Sequence, residues 1–397
     1  MDRDTRPSPL PFVLGVTLVT LALGWLLKSP CLGPWDDGRQ YTRLCYSDVA
    51  ALYSAEGIDQ RLVPYFEHTN EYPVLTGFTM ALTGIPAKSY ASFFNWNALL
   101  LGGFALLTSW ALSRMAGERA LLFAAAPTLL IYSFVNWDLI PVALATLATF
   151  AFLRKRDGPA GILLGLGAAA KLYPALLLAP FALQRLRERK TERAGLLVGA
   201  GLLTWLAVNL PIALFAPDGR WSEFFRFNTE RPADWDSLWL LTQRHLGFPD
   251  TTAAVNLLSA IAFVALSTVL LLVAWRRRPD FPLWTFGFPL IVAFLLTGKV
   301  YSPQFSLWLL PWFALVLPDL RLFVAFSAAE VAVFVTRFQY FAQLDGYGGL
   351  PLGAFELALL ARAAVLIAAL LLWVRRFAQP AEPRQQQTPE PAAEAIA

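Results

Sequence analysis

Apolar runs long enough to cross a bilayer constrain this chain more than any other feature. Stretches such as 11–28, 195–216 and 251–275 are almost free of charge. A helix needs about 20 such residues to span a hydrocarbon core of about 30 Å. Backbone polar groups inside lipid must be satisfied within the element, which leaves helices as the reading for runs of this length. Of the 397 residues only 15% are charged and 57% are hydrophobic, whereas a soluble domain carries about 25% charged residues. The chain is therefore expected to be an all-α, polytopic helical membrane protein. A net charge of +4 then reports loop charges that set orientation, and says little about nucleic acid. The N-terminal "MDRDTRPSPL" has no small-residue cleavage pattern behind it, so the first apolar run reads as a retained helix.

Basic clusters orient the spans. "RMAGER" (114–119), "RKRD" (154–157), "QRLRERKTER" (184–193), "RRRPD" (276–280) and "VRRF" (374–377) are expected on the cytoplasmic side. Spans follow at 11–28, 90–113, 120–135, 137–153, 195–216, 251–275, 281–297, 303–317, 320–340 and 353–374. Residues 158–184, enclosed between two basic clusters, must go out and return as a hairpin with "AKLYP" at its apex, which puts Lys171 at the outer boundary. The Gly- and Pro-broken "PVLTGFTMALTGIPA" (73–87) dips in and comes back. The sum is about twelve membrane helices, both termini cytoplasmic, with outer loops at 29–89 and 217–250. One membrane domain covers 1–377, and 378–397, rich in Pro, Gln, Ala and Glu, reads as a disordered tail.

Cys31 and Cys45 both fall in the first outer loop, where a disulfide is permitted. Closing a loop of about 15 residues contributes about 3 kcal/mol by chain entropy; two free thiols are the other reading. Ordering the polar residues by side places Asp48, the turn Asn70–Pro73 with Tyr72, Asp138, Lys171 with Tyr173, and "GKVYSPQ" with Lys299, Tyr301 and Gln304 on the outer face. Arg337 joins them, as do Arg231 and its neighbours in the second outer loop. The inner face shows only the basic stops that topology demands. An outward-facing site with anionic ligand partners follows.

Each of these residues has a plainer reading. "SDVAALYSAEG" is a short helix that Ser47 or Asp48 would cap. Asp36 and Asp37 resemble a simple turn, Lys171 could snorkel, and Asp138 could favour a helix start. Glu330 with Arg337, and Glu356 with Arg362, read as structural networks along their helices. His68 and His245 are the only histidines and have no ligand spacing near them. No Walker, GxGxxG or GxSxG motif is present. A transporter would place its charges near the midplane, and here they crowd one boundary.

Five segments, taken in order, resemble the GT-C superfamily of polytopic glycosyltransferases, in particular glycosyltransferase family 87 as found in actinobacteria. They are "CYSDVAALYSAEGIDQRLVPYFEHTNEYPVLTG", "NWDLIPVAL", "GLGAAAKLYPALLLAP", "FFRFNTERPADWDSLW" and "GKVYSPQFSLWLLP". The family's turn often reads Tyr-Pro-Pro, whereas this chain has Tyr72-Pro73-Val74. The resemblance implies a GT-C-like fold with a helical segment in the first extracytoplasmic loop. It also implies a sugar donor on polyprenyl phosphate, commonly mannose, and a catalytic aspartate at Asp48. A sugar already on phosphate needs no general acid, only a base for the acceptor hydroxyl and cations at the leaving phosphate. Asp48 is then the base of an inverting transfer to a lipid or glycan acceptor, with Lys171, Arg231 and Lys299 at the phosphate. Tyr72, Asp138, Tyr173, Tyr301 and Gln304 complete the expected substrate-binding set. No cofactor is fixed by the sequence; an acidic outer loop leaves room for weakly held Mg or Mn. The expected location is the plasma membrane with the site outside. A lipid-linked sugar flippase and an envelope glycan polymerase are the rival readings.

Overall fold

The structure, a computed structural model, describes residues 9–33, 35 and 37–378. Asp36 and nearly all of the expected tail at 378–397 lie outside the described residues. Among the described residues every regular element is a helix; the one pairing of extended backbone is an isolated bridge between Pro64 and His68.

The first half runs α1 (Leu10–Lys28), α2 (Arg39–Thr42), α3 (Asp48–Ala55), α4 (Val74–Gly84), α5 (Tyr90–Ala116), α6 (Leu121–Ala124), α7 (Pro127–Tyr132), α8 (Leu139–Leu153), α9 (Asp157–Ala170) and α10 (Leu178–Arg187). The second half runs α11 (Thr191–Phe215), α12 (Glu223–Glu230), α13 (Leu238–Leu246), α14 (Thr252–Arg277), α15 (Gly287–Thr297), α16 (Leu310–Leu315), α17 (Leu320–Leu344) and α18 (Leu352–Ala378). Five helical segments are long and apolar enough to cross a membrane: Leu10–Cys31, Tyr90–Ala124, Thr191–Phe215, Thr252–Arg277 and Leu352–Arg376. Leu203 and Leu214 on α11, and Leu257 and Ile261 on α14, remain exposed, as side chains facing lipid tails would be.

The other apolar runs are interrupted. The segment 120–135 divides before Pro127, because proline pushes Ala126 out of the helical region (ψ 126°). The runs 281–297 and 303–317 each begin with a 3₁₀ stretch, Leu283–Phe286 and Pro303–Leu309. The segment 73–87 contains α4, whose 11 residues reach only about 16 Å, too short to cross.

The hairpin at 158–184 is closed at its base: Arg185 Nε lies 2.7 Å from Asp157 Oδ1, and Arg185 Nη2 donates to Phe152 O at 2.7 Å. Its apex is the break at Lys171, followed by the 3₁₀ turn Tyr173–Leu177. On α9, a Cβ added at Gly161 would fall 2.2 Å from Leu197 O of α11, so glycine permits the close approach of the two helices. The base of the hairpin also meets the basic cluster at 276–280: Arg187 Nη1 donates to Pro279 O at 3.1 Å and Leu283 N to Gln184 Oε1 at 2.7 Å. Three of the basic stops thus share one end of the molecule.

Charged residues expected to pair along single helices instead pair with residues of other segments. Glu330 faces Arg362 at 4.0 Å, Arg337 pairs with Asp236, and Glu356 meets Arg244 and His245, each at 3.0 Å. Glu330 and Arg337 thus each find a partner outside their own helix.

Candidate active site

At the end opposite those basic stops lies a cavity of about 850 Å³. Its polar wall contains Asp48, Glu71, Tyr72, Asn136, Lys171, Arg231, Lys299 and Gln304, and its apolar wall is formed by Phe224, Phe225, Phe227, Ala260, Phe263 and Phe294.

Asp48 is the first residue of α3, and the helix is not capped by a side chain. Ser47 is diverted instead, donating its hydroxyl to Phe134 O at 2.6 Å. The backbone N–H of Asp48 donates to Val135 O at 2.8 Å, and its Oδ2 accepts from Asn136 Nδ2 at 2.7 Å. The capping role open to Asp48 in sequence is thus not the one its carboxylate takes. Burial pushes the Asp48 carboxyl above its ordinary range, while hydrogen bonds from Asn136 and Tyr46 and the charges of Lys171 and Arg337 act in the opposite direction. Behind it, Lys28 donates to Tyr46 O at 2.9 Å, and a disulfide joins Cys31 to Cys45 with the Cα atoms 5.6 Å apart. Asp37 makes an exposed local pair with Arg39 at 2.7 Å.

Lys171, thrown to the hairpin apex by the break after α9, places Nζ 3.0 Å from Asp138 Oδ2. The other Asp138 oxygen accepts from Trp308 Nε1 at 2.7 Å. Asp138 is fully buried and does not line the cavity; it stands behind Lys171. The ammonium also sits over the Phe305 ring, 4.5 Å from the centroid. Tyr173 reaches the wall and stacks on Trp308 with centroids 4.2 Å apart. Tyr72 accepts from Asn136 Nδ2 at 2.8 Å.

The second outer loop is fastened over the cavity. Lys299 Nζ donates to Thr229 O at 3.1 Å and to Arg231 O at 2.8 Å, while Asp234 N donates to Lys299 O at 2.8 Å. Trp239 Nε1 donates to Thr297 O at 2.7 Å. Arg231 lies 3.6 Å from Asp234. Burial lowers the Lys299 ammonium from its ordinary range, and the charge of Arg231 adds to that. Tyr301 is turned away from the cavity: its hydroxyl lies 3.2 Å from Ser306 and 3.4 Å from Glu330, with Arg362 3.7 Å from the ring centroid. A register of one residue separates Val300 and Ser302, on the wall, from Tyr301, off it.

Among the polar wall residues, Tyr46, Glu71 and Asn136 are not in the substrate-binding set expected from sequence, although each sits inside a quoted motif; Arg337, expected on the outer face, also lines the wall. Burial raises the Glu71 carboxyl, as does the charge of Asp48, against Arg231 and Lys171. No group of three His, Cys, Asp or Glu side chains that could hold a metal occurs among the described residues.

Fold and site together describe a helical membrane protein with a polar and apolar cavity at one end. The family model of Glycosyltransferase family 87 matches residues 70–303, more than half of the chain. The chain belongs to that family and is a glycosyltransferase. The matched span includes Lys171, Arg231 and Lys299, begins beyond Asp48 and stops one residue before Gln304. Among solved structures it is similar to ArnT from Cupriavidus metallidurans bound to undecaprenyl phosphate, at 12% identity over 92% of this chain and 77% of that chain, with a TM-score of 0.47. A likeness at that level carries no argument about the site. No curated protein matches the chain.

Proposed function

We propose that the enzyme moves a sugar, mannose by the family resemblance, from a polyprenyl-phosphate donor to a lipid or glycan acceptor at the extracytoplasmic face. The observation that carries this reading is the joining, in one cavity, of a hydrogen-bonded carboxylate, several cations and a phenylalanine-rich wall. An amphiphilic phosphate fits such a lining: its headgroup meets Lys171, Arg231 and Lys299, and its chain lies against Phe224, Phe263 and Phe294. Lys299 has an N–H left over after its two carbonyl partners.

In the reaction, Asp48 accepts the proton of the acceptor hydroxyl as its oxygen attacks the anomeric carbon. The bond from that carbon to the phosphate oxygen breaks, and the electron pair leaves with polyprenyl phosphate. The cations stabilise the negative charge that builds on it. A single displacement inverts the anomeric centre.

Purified protein incubated with polyprenyl-phosphate mannose and membrane lipid extract should yield a lipid heavier by one hexose. Asp48→Asn should lower the rate by about 10²- to 10⁴-fold. Full activity in that variant would remove Asp48 from the mechanism, and lipid movement across vesicles without a new glycosidic bond would favour a flippase.

A further inference from the structure

The segment between α7 and α8 forms no regular helix, yet its side chains are buried: Asn136 is 2% exposed and Trp137 1%. Each polar atom of the Asn136 amide is committed. Its Oδ1 accepts from the Trp137 backbone N–H at 2.7 Å, while Nδ2 donates to Asp48 Oδ2 at 2.7 Å and to Tyr72 Oη at 2.8 Å. An amide can rotate by half a turn and exchange its two ends. Here the backbone N–H of Trp137 offers only a proton, so the oxygen must face it and the NH₂ end must face Asp48. Trp137 is itself anchored, its indole Nε1 donating to Asn97 Oδ1 at 2.7 Å and Asn97 Nδ2 donating to Phe93 O at 2.9 Å. The chain of contacts therefore runs from α5 to the carboxylate.

We infer that Asn136 is the positioning residue of the base: it presents a fixed N–H donor that orients the Asp48 carboxylate and favours its ionised form. This rests on the reading of Asp48 as the base. A neutral donor does this without adding charge beside the donor phosphate. Lys171 and Arg337 also act on Asp48, through their charges, but both are paired, Lys171 with Asp138 and Arg337 with Asp236. Lys28 and Glu71 are the other charged groups whose fields reach Asp48, and Tyr46 is the second hydrogen-bond donor to it.

The test uses two variants, full length, in nanodiscs. Asn136→Ala deletes the donor. Asn136→Asp keeps an oxygen for the Trp137 N–H and so preserves the local fold, while replacing the donor with an acceptor. A donor to the charged form lowers a carboxyl pKa, so its removal raises it. With polyprenyl-phosphate mannose and lipid extract as probes, kcat/KM should fall roughly 10- to 100-fold at neutral pH, the worth of a hydrogen bond to a charged group. The acid limb of the profile should move to higher pH, so that much of the loss is recovered under alkaline conditions. Infrared pH titration, differenced against Asp48→Asn in each background, reads the Asp48 carboxyl without turnover, and its midpoint should rise in both variants. An unmoved midpoint, or a rate loss equal at every pH, overturns the inference. A raised midpoint together with a fully active Asp48→Asn enzyme would sustain the positioning of Asp48 and overturn only its role as base.

Discussion

Two buried or half-buried aspartates flank the same short segment, and their partners separate their tasks. Asp48 accepts from a neutral amide and borders the cavity, whereas Asp138 is closed off by Trp308 and Lys171. Asp138 therefore belongs to the support of Lys171, which it holds on the wall. Deleting one partner of a buried pair leaves the other charge stranded, at a cost of about 3–5 kcal/mol. Lys171→Leu alone should lower both the melting temperature and the rate of transfer. Lys171→Leu combined with Asp138→Leu should recover much of the melting temperature and none of the rate, as followed by thermal unfolding in detergent beside the transferase assay. Recovery of both would leave Lys171 with a structural part only. In sequence, Asp48 and Asp138 were both visible as outer-face carboxylates. Which of the two faces the cavity depends on side-chain direction at helix ends, which residue order leaves open.

Helix boundaries at this site are set by local chemistry, and their placement is set by packing. The hairpin apex at Lys171 and the start of α3 at Asp48 follow from charge, proline and small-residue patterns. The approach of α9 to α11 needs the glycine at Gly161 and, one turn on, at Gly165, where an added Cβ would lie 2.4 Å from Gly201 O. Gly161→Leu should drive the two helices apart, with a cost of about 1–3 kcal/mol from overpacking. Because α9 carries Lys171 at its end, the rate should drop together with the melting temperature; an unchanged melt would show that the helix pair tolerates the wider spacing. The long-range pairs Glu330–Arg362 and Asp236–Arg337 were beyond sequence reasoning for a related cause. Their partners lie far apart along the chain, and the intrahelical alternatives look equally reasonable until helix rotations are known.

Across the whole molecule, the clusters at 154–157, 184–193 and 276–280 meet at one end, while the cavity occupies the other. α14 links the two, from Asn256, which donates to Thr229 O at 2.8 Å beside the cavity, to Arg277 near the basic end. We propose the cavity end as the extracytoplasmic one, in keeping with the excess of Lys and Arg at the other. A cysteine placed at Glu230 should react with a membrane-impermeant thiol reagent in intact cells, and one at Arg277 only after permeabilisation; the native cysteines are bonded to each other and stay silent. The opposite pattern would invert the topology. Residue order alone was enough to establish a helical membrane protein, its principal spans and the crowding of polar residues toward one boundary, because hydropathy and loop charge act segment by segment along the chain. Only the tertiary structure decided that Asn136 and Tyr46 hold Asp48, that Asp138 stands behind Lys171 and that Tyr301 turns away toward Glu330. Those outcomes depend on how helix ends rotate and pack against one another, which is a property of the assembled molecule.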